Sequence, residues 1–142
     1  MDCKIDCKKI SLATIAIWIV SNILGFVTCG WLFNWVYQIP PNIWKTAEQV
    51  TGNMVWATLL GLIPAILFTV VFVILYKGIP GKGIKKGINY GIIVWLVSAF
   101  GGLMTMPFYM TISATVIIYW IIQSLVVNVV NGIIVAAIYK EK

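Results

Sequence analysis

Hydrophobic positions in this chain do not alternate with polar ones; they run on. Residues 15–20 (Ile-Ala-Ile-Trp-Ile-Val) and 70–75 (Val-Val-Phe-Val-Ile-Leu) are apolar at every position. That pattern excludes the in-and-out alternation of barrel strands. A membrane-crossing helix needs about 20 mostly apolar residues. Four segments have that length: Ile10 to Tyr37, Asn53 to Tyr76, Gly87 to Phe108 and Ala114 to Tyr139. None of them contains Asp, Glu or Lys. The pattern predicts an all-α integral membrane protein, a four-helix transmembrane bundle in one transmembrane domain over residues 1–142.

The connections carry the turn signals. Residues 38–52 form the longest one, and Pro40 and Pro41 stop the first helix because proline lacks an N–H and disfavours helix in the residue before it. Thr46 to Gln49 can form one interfacial helical turn. Residues 77–86 form a short basic turn, and 109–113 a tight uncharged one after Pro107. Pro64 lies inside the second segment, where it predicts a kink or hinge. The first apolar run is longer than the 7–15 residues of a secretory signal and no small-x-small cleavage site follows, so it reads as an uncleaved span.

Composition agrees. The chain is 61% hydrophobic and 10% charged, with a mean hydropathy of +1.00, against about 45–50% and about 25% in ordinary soluble domains. A soluble enzyme, a disordered tail and a disulfide-rich secreted module are all excluded. The net charge of +6 comes from lysine alone, without arginine or histidine. Nucleic-acid recognition, which uses arginine forks, is therefore not expected.

The positions of the lysines say more than their number. The N-terminal tail, the 77–86 turn and the C-terminal tail hold nine of the ten, and the opposite side holds Lys45 with Glu48 nearby. The positive-inside rule then puts both termini in the cytoplasm. Lysine- and isoleucine-rich usage points to a prokaryotic cell membrane. The cytoplasmic lysines are expected to attract anionic headgroups, at about 1 kcal/mol each near the surface. Trp35, Tyr37, Trp44, Tyr119 and Trp120 fall near the external boundary and Tyr76, Tyr90 and Tyr139 near the internal one, as headgroup-level belts do. An aromatic cage for a cation is the alternative use of such rings.

An internal repeat is visible. Residues 17–25 align with 94–102 at an offset of 77, matching Trp18 with Trp95, Val20 with Val97, Ser21 with Ser98 and Gly25 with Gly102. The second and fourth segments both end in Tyr-Lys, at 76–77 and 139–140. This reads as two parallel-repeat helical hairpins, with convergence on common membrane residues as the alternative.

Helix faces supply the candidate sites. Gly87, Gly91, Ser98 and Gly101 share one arc of the third segment, and Gly25 and Gly61 add small residues on the first and second. Such faces let backbones approach closely. On the fourth segment Ser124, Asn128 and Asn131 share a face, with Gln123 about a quarter-turn away. Amides are costly in hydrocarbon, so these should bond to other helices, with Ser21, Asn22 or Ser98 as partners, or line a path for a small solute.

Cys3 and Cys7 are weak metal candidates, because two thiols without histidine make an incomplete ligand set; no metal or other cofactor is expected. No ionisable Asp, Glu, Lys or Arg lies in a segment, and no histidine exists to serve as a base. The expectation is a non-enzymatic accessory subunit or homo-oligomer acting through helix packing. The alternatives are a small transporter or channel for a neutral or weakly polar solute and a lipid-binding membrane protein.

Overall fold

The computed structural model describes residues 6–41, 44–45 and 47–140; Cys3 and the ends of both tails lie outside them. All regular structure among the described residues is helical. Helix α1 (Cys7–Gly25) starts at an Asp6 cap whose side chain accepts from the Lys9 backbone N–H at 3.2 Å. It continues as a π-helical stretch over Phe26–Leu32, and a 3-10 turn over Asn34–Gln38 follows Phe33. The second apolar segment is two helices, α2 (Ala47–Leu60) and α3 (Leu62–Leu75). The third is α4 (Ile84–Trp95), a π-helical stretch over Leu96–Phe100, the short α5 (Gly101–Thr105) and a 3-10 turn at Met106–Phe108. The fourth is α6 (Ala114–Ile138), unbroken.

Four helical stretches are long and apolar enough to cross a membrane: span 1 (Cys7–Leu32), span 2 (Glu48–Leu75), span 3 (Ile84–Phe108) and span 4 (Ala114–Ile138). Span 1 starts three residues before the apolar pattern because the Asp6 cap sits in the charged tail. It stops being continuous helix before Tyr37, at Phe33. Span 2 starts earlier than Asn53 because the turn foreseen near Gln49 is the first turn of α2 itself.

The irregular stretches have local causes. Thr28 Oγ1 donates to Leu24 O at 2.6 Å and Ser98 Oγ to Val94 O at 2.6 Å. Each hydroxyl sits within a π-helical stretch. A hydroxyl bonded four residues back competes with the main chain for that carbonyl, and helices loosen there. The break in span 2 falls at Gly61, one turn before Pro64. Proline at 64 offers no N–H to the Leu60 carbonyl, so the bond that would carry α2 into α3 is missing at that point.

Cross-helix pairs give the topology. Trp18 meets Thr58, Tyr90 meets Phe68, Trp95 meets Ile121 and Ser21 meets Asn131. Spans 1 and 2 and spans 3 and 4 are therefore antiparallel, and span 4 also runs antiparallel along span 1. The lysine-bearing segments gather at one end of the bundle: Lys9 Nζ donates to Lys140 O at 3.2 Å, and Lys86 Nζ donates to Tyr76 O at 2.6 Å and lies 4.0 Å from the Tyr76 ring centre.

The core sits toward that end. Ala13, Ile17, Ala65, Phe72, Tyr90, Val135 and Tyr139 pack together there. Tyr90 and Tyr139, which the pattern placed in a headgroup belt, are instead 2% and 5% exposed. Their rings stack edge-on around Phe72, at 5.1 and 6.5 Å, and the Tyr90 hydroxyl is satisfied by Phe68 O at 2.7 Å. A tyrosine can leave the interface when a helix carbonyl accepts its hydroxyl's hydrogen bond. Toward the far end α2 has little contact with α1, so spans 1 and 2 part company beyond Thr58.

Candidate functional site

The polar face of span 4 meets span 1 in two places. The Asn131 amide donates to Ser21 Oγ at 2.9 Å, and its Oδ1 accepts the Ser21 hydroxyl at 3.1 Å. Asn131 is 7% exposed, so this pair is buried inside the bundle. About two turns toward the far end, Gln123 Nε2 donates to Thr28 Oγ1 at 2.9 Å and to Cys29 Sγ at 3.1 Å. Tyr119 OH also reaches Cys29 Sγ, at 3.6 Å. Ser124 faces span 3 instead: its Oγ accepts Trp95 Nε1–H at 3.2 Å while donating to Ile121 O at 3.0 Å.

Three expected partners stay within their own helices. Asn128 Nδ2 donates to Ser124 O at 2.8 Å, Asn22 Nδ2 to Trp18 O at 2.8 Å, and Ser98 Oγ to Val94 O. Ser98 is exposed and does not meet the fourth span's polar side chains. Each of these side chains finds a main-chain carbonyl three or four residues back, so a cross-helix partner is not required.

The small-residue arc of span 3 divides in two. Gly87 packs directly against the Gly132 backbone, and Gly91 against the backbone of Asn128. Here the missing side chains allow two main chains to touch. Farther along, a Cβ on Gly102 would meet nothing within 4 Å, and one on Gly101 only Leu96 O at 3.9 Å. Gly25 likewise faces open space, while a Cβ on Gly61 would lie 3.8 Å from the Trp18 ring.

The open space beside Gly25 belongs to a groove of about 1060 Å³ between α1 and α2. Ser21, Asn22, Gly25 and Cys29 form one wall, Met54, Ala57 and Thr58 the other. Trp18 closes its lower end by donating Nε1–H to Thr58 O at 2.8 Å. Tyr37, Trp44 and Lys45 stand at the upper end. Tyr37 is held there by rings, 5.2 Å from Trp44 and 6.5 Å from Trp120, and its hydroxyl accepts Trp120 Nε1–H at 2.9 Å. Trp44 Nε1 is enclosed without a hydrogen-bond partner among the described residues. The aromatic rings of this end therefore pack on one another.

The helix patterns did not point to this groove. Its sequence signals are Pro64, one turn beyond the break between α2 and α3, and the long 38–52 connection. Chemically, the arrangement can hold polar and apolar groups. No cluster of three metal-ligating side chains occurs among the described residues, and neither Cys7 nor Cys29 forms a disulfide. The chain matches no family model, no curated protein and no solved structure.

Proposed function

We propose that this chain is a non-enzymatic multi-pass membrane protein with both termini in the cytoplasm, which acts by associating with other membrane helices, as a homo-oligomer or as a subunit of a larger complex. The carrying observation is that the polar side chains of span 4 are engaged inside the bundle. Asn131 pairs with Ser21, Gln123 with Thr28, and Ser124 with Trp95. Polar groups engaged in this way hold helices together and are not free to lead a solute across. That weighs against a transporter lined by the fourth span. The outer part of span 3 supplies the association surface, with Ser98, Gly101, Gly102 and Thr105 all exposed.

Its test is self-association of the purified full chain in lipid nanodiscs and mild detergent, with single cysteines at Gly102 and Thr105 for crosslinking. A crosslinked homo-oligomer, or a stoichiometric membrane partner crosslinked at these positions in cells, is the expected result. A strict monomer without a crosslinked partner would overturn the reading. Solute flux through proteoliposomes that is abolished in Asn131→Leu would favour the transporter instead.

A further inference from the structure

The groove between α1 and α2 has three properties that together define an occupant. Its first property is depth. The lining runs from Ser21 to Gly30 on span 1 and from Val50 to Thr58 on α2. At 1.5 Å rise per residue that is about 12–14 Å along each wall. The hydrocarbon core of a bilayer is about 30 Å thick, so the groove is one leaflet deep. It stops at the Trp18–Thr58 bond, where the leaflets would meet.

Its second property is the wall. Phe26, Val50 and Met54 line its rim and are 65%, 48% and 49% exposed. Apolar walls with a volume near the upper end of the usual range for ligand sites, about 300–1,000 Å³, suit an acyl chain. The third property is the mouth. Lys45 lines it and is the single lysine outside the tails and the basic turn. It has no ion-pair partner among the described residues. Beside it Trp44 holds an enclosed indole N–H with no acceptor among the described residues. The mouth thus presents an exposed cation, and an anionic oxygen would pair with Lys45.

We infer that the α1–α2 groove binds one anionic lipid from the leaflet opposite the lysine-rich end, its headgroup at Lys45 and Trp44 and its acyl chain between Gly25 and Met54. The inference rests on the membrane placement proposed above but not on self-association. A monomer that retains a lipid would defeat the first reading and leave this one standing. Among the described residues a second copy could offer Lys45 only Glu48 at this depth, and protection of Cys29 that appears only in a dimer is the outcome that identifies it.

The test uses the full chain in nanodiscs of equal parts phosphatidylglycerol and phosphatidylcholine, extracted gently and weighed by native mass spectrometry. Wild type should retain one phosphatidylglycerol per protomer, preferred over phosphatidylcholine by about fivefold, the worth of one lysine near a charged headgroup. Lys45→Gln, an exposed change, should keep a bound lipid and lose the preference. Gly25→Leu, which fills open space in the groove, should lose the lipid while retaining wild-type helicity and thermal midpoint. In a background with Cys3 and Cys7 replaced by serine, Cys29 should react with maleimide more slowly when the lipid is bound, and this protection should vanish in Gly25→Leu. Wild type without bound lipid, a lipid retained by Gly25→Leu, a preference that survives Lys45→Gln, or a dimer that alone protects Cys29 would each overturn the inference.

Discussion

Trp18 and Trp95 occupy equivalent stations in the two helical hairpins. Trp18 donates its indole N–H to Thr58 O of span 2 at 2.8 Å, and Trp95 donates to Ile121 O of span 4 at 3.0 Å. The tryptophans are 77 residues apart and the two carbonyls 63 apart. These are the offsets that align Gly25 with Gly102 and Tyr76 with Tyr139. Gly61 near the Trp18 ring is likewise matched by Ser124, which bonds Trp95. The two hairpins thus carry tryptophan donors and carbonyl acceptors at the offsets of the sequence repeat.

Replacing either tryptophan by phenylalanine keeps most of the ring and removes the donor. Trp18→Phe and Trp95→Phe should each lower stability by about 0.5–1.5 kcal/mol. The bonds share no partner, so the double variant should be additive within about 0.5 kcal/mol. Unfolding titrations with a denaturing detergent in mixed micelles measure this.

Glycine substitutions along span 3 should divide sharply. Gly91→Ala drives a methyl into the Asn128 backbone, which side-chain rotation cannot relieve, and should cost at least the 1–3 kcal/mol typical of overpacking. Gly102→Ala meets open space and should be neutral or stabilising by up to about 1 kcal/mol through reduced chain entropy. The same titrations compare them.

The Ser21–Asn131 pair should show coupling that Asn128 does not. In a double-mutant cycle, Ser21→Ala with Asn131→Ala should give about 0.6 kcal/mol, the average for membrane hydrogen bonds. Ser21→Ala with Asn128→Ala should give a value near zero, because Asn128 bonds within its own helix.

Pro64→Ala restores the donor to the Leu60 carbonyl and should straighten span 2. Helix α3 lies against α1, so a straight continuation would run alongside it and narrow the groove. Spin labels at Phe26 and Met54, on opposite walls, should move closer. An unchanged distance would show that the loop, and not the proline, holds α2 away.

The orientation has its own check. A cysteine at Gly83, in the basic turn, should react with an impermeant maleimide only in inside-out vesicles, and one at Lys45 only in right-side-out cells. This follows from the nine lysines on one side.

Much of the helix framework was legible in the chain, for a physical reason. A bilayer imposes a length and a polarity on each crossing, and both are local properties of sequence. Pro64 was legible too, although its effect appears at Gly61 because proline breaks the bond one turn behind it. Side-chain partners were less so. Ser21 was among the partners expected for the polar face, but helical spacing alone could not say that Asn131 would take it while Asn128 turned to its own Ser124. Nor could it say that Tyr90 and Tyr139 would leave the boundary for the core. The groove escaped notice because it arises from an angle between two helices, and no single face records that angle.

The longest-range bonds also bear on biogenesis. Ser21 and Asn131 are 110 residues apart, and Lys9 and Lys140 are 131 apart. In a bilayer, span 1 would therefore wait, its hydroxyl without its eventual partner, until span 4 leaves the ribosome. The hairpins can form as they are made, but spans 1 and 4 join them only once span 4 has been made. Truncation within span 4 should thus leave an inserted protein that quality-control proteases recognise as unfinished.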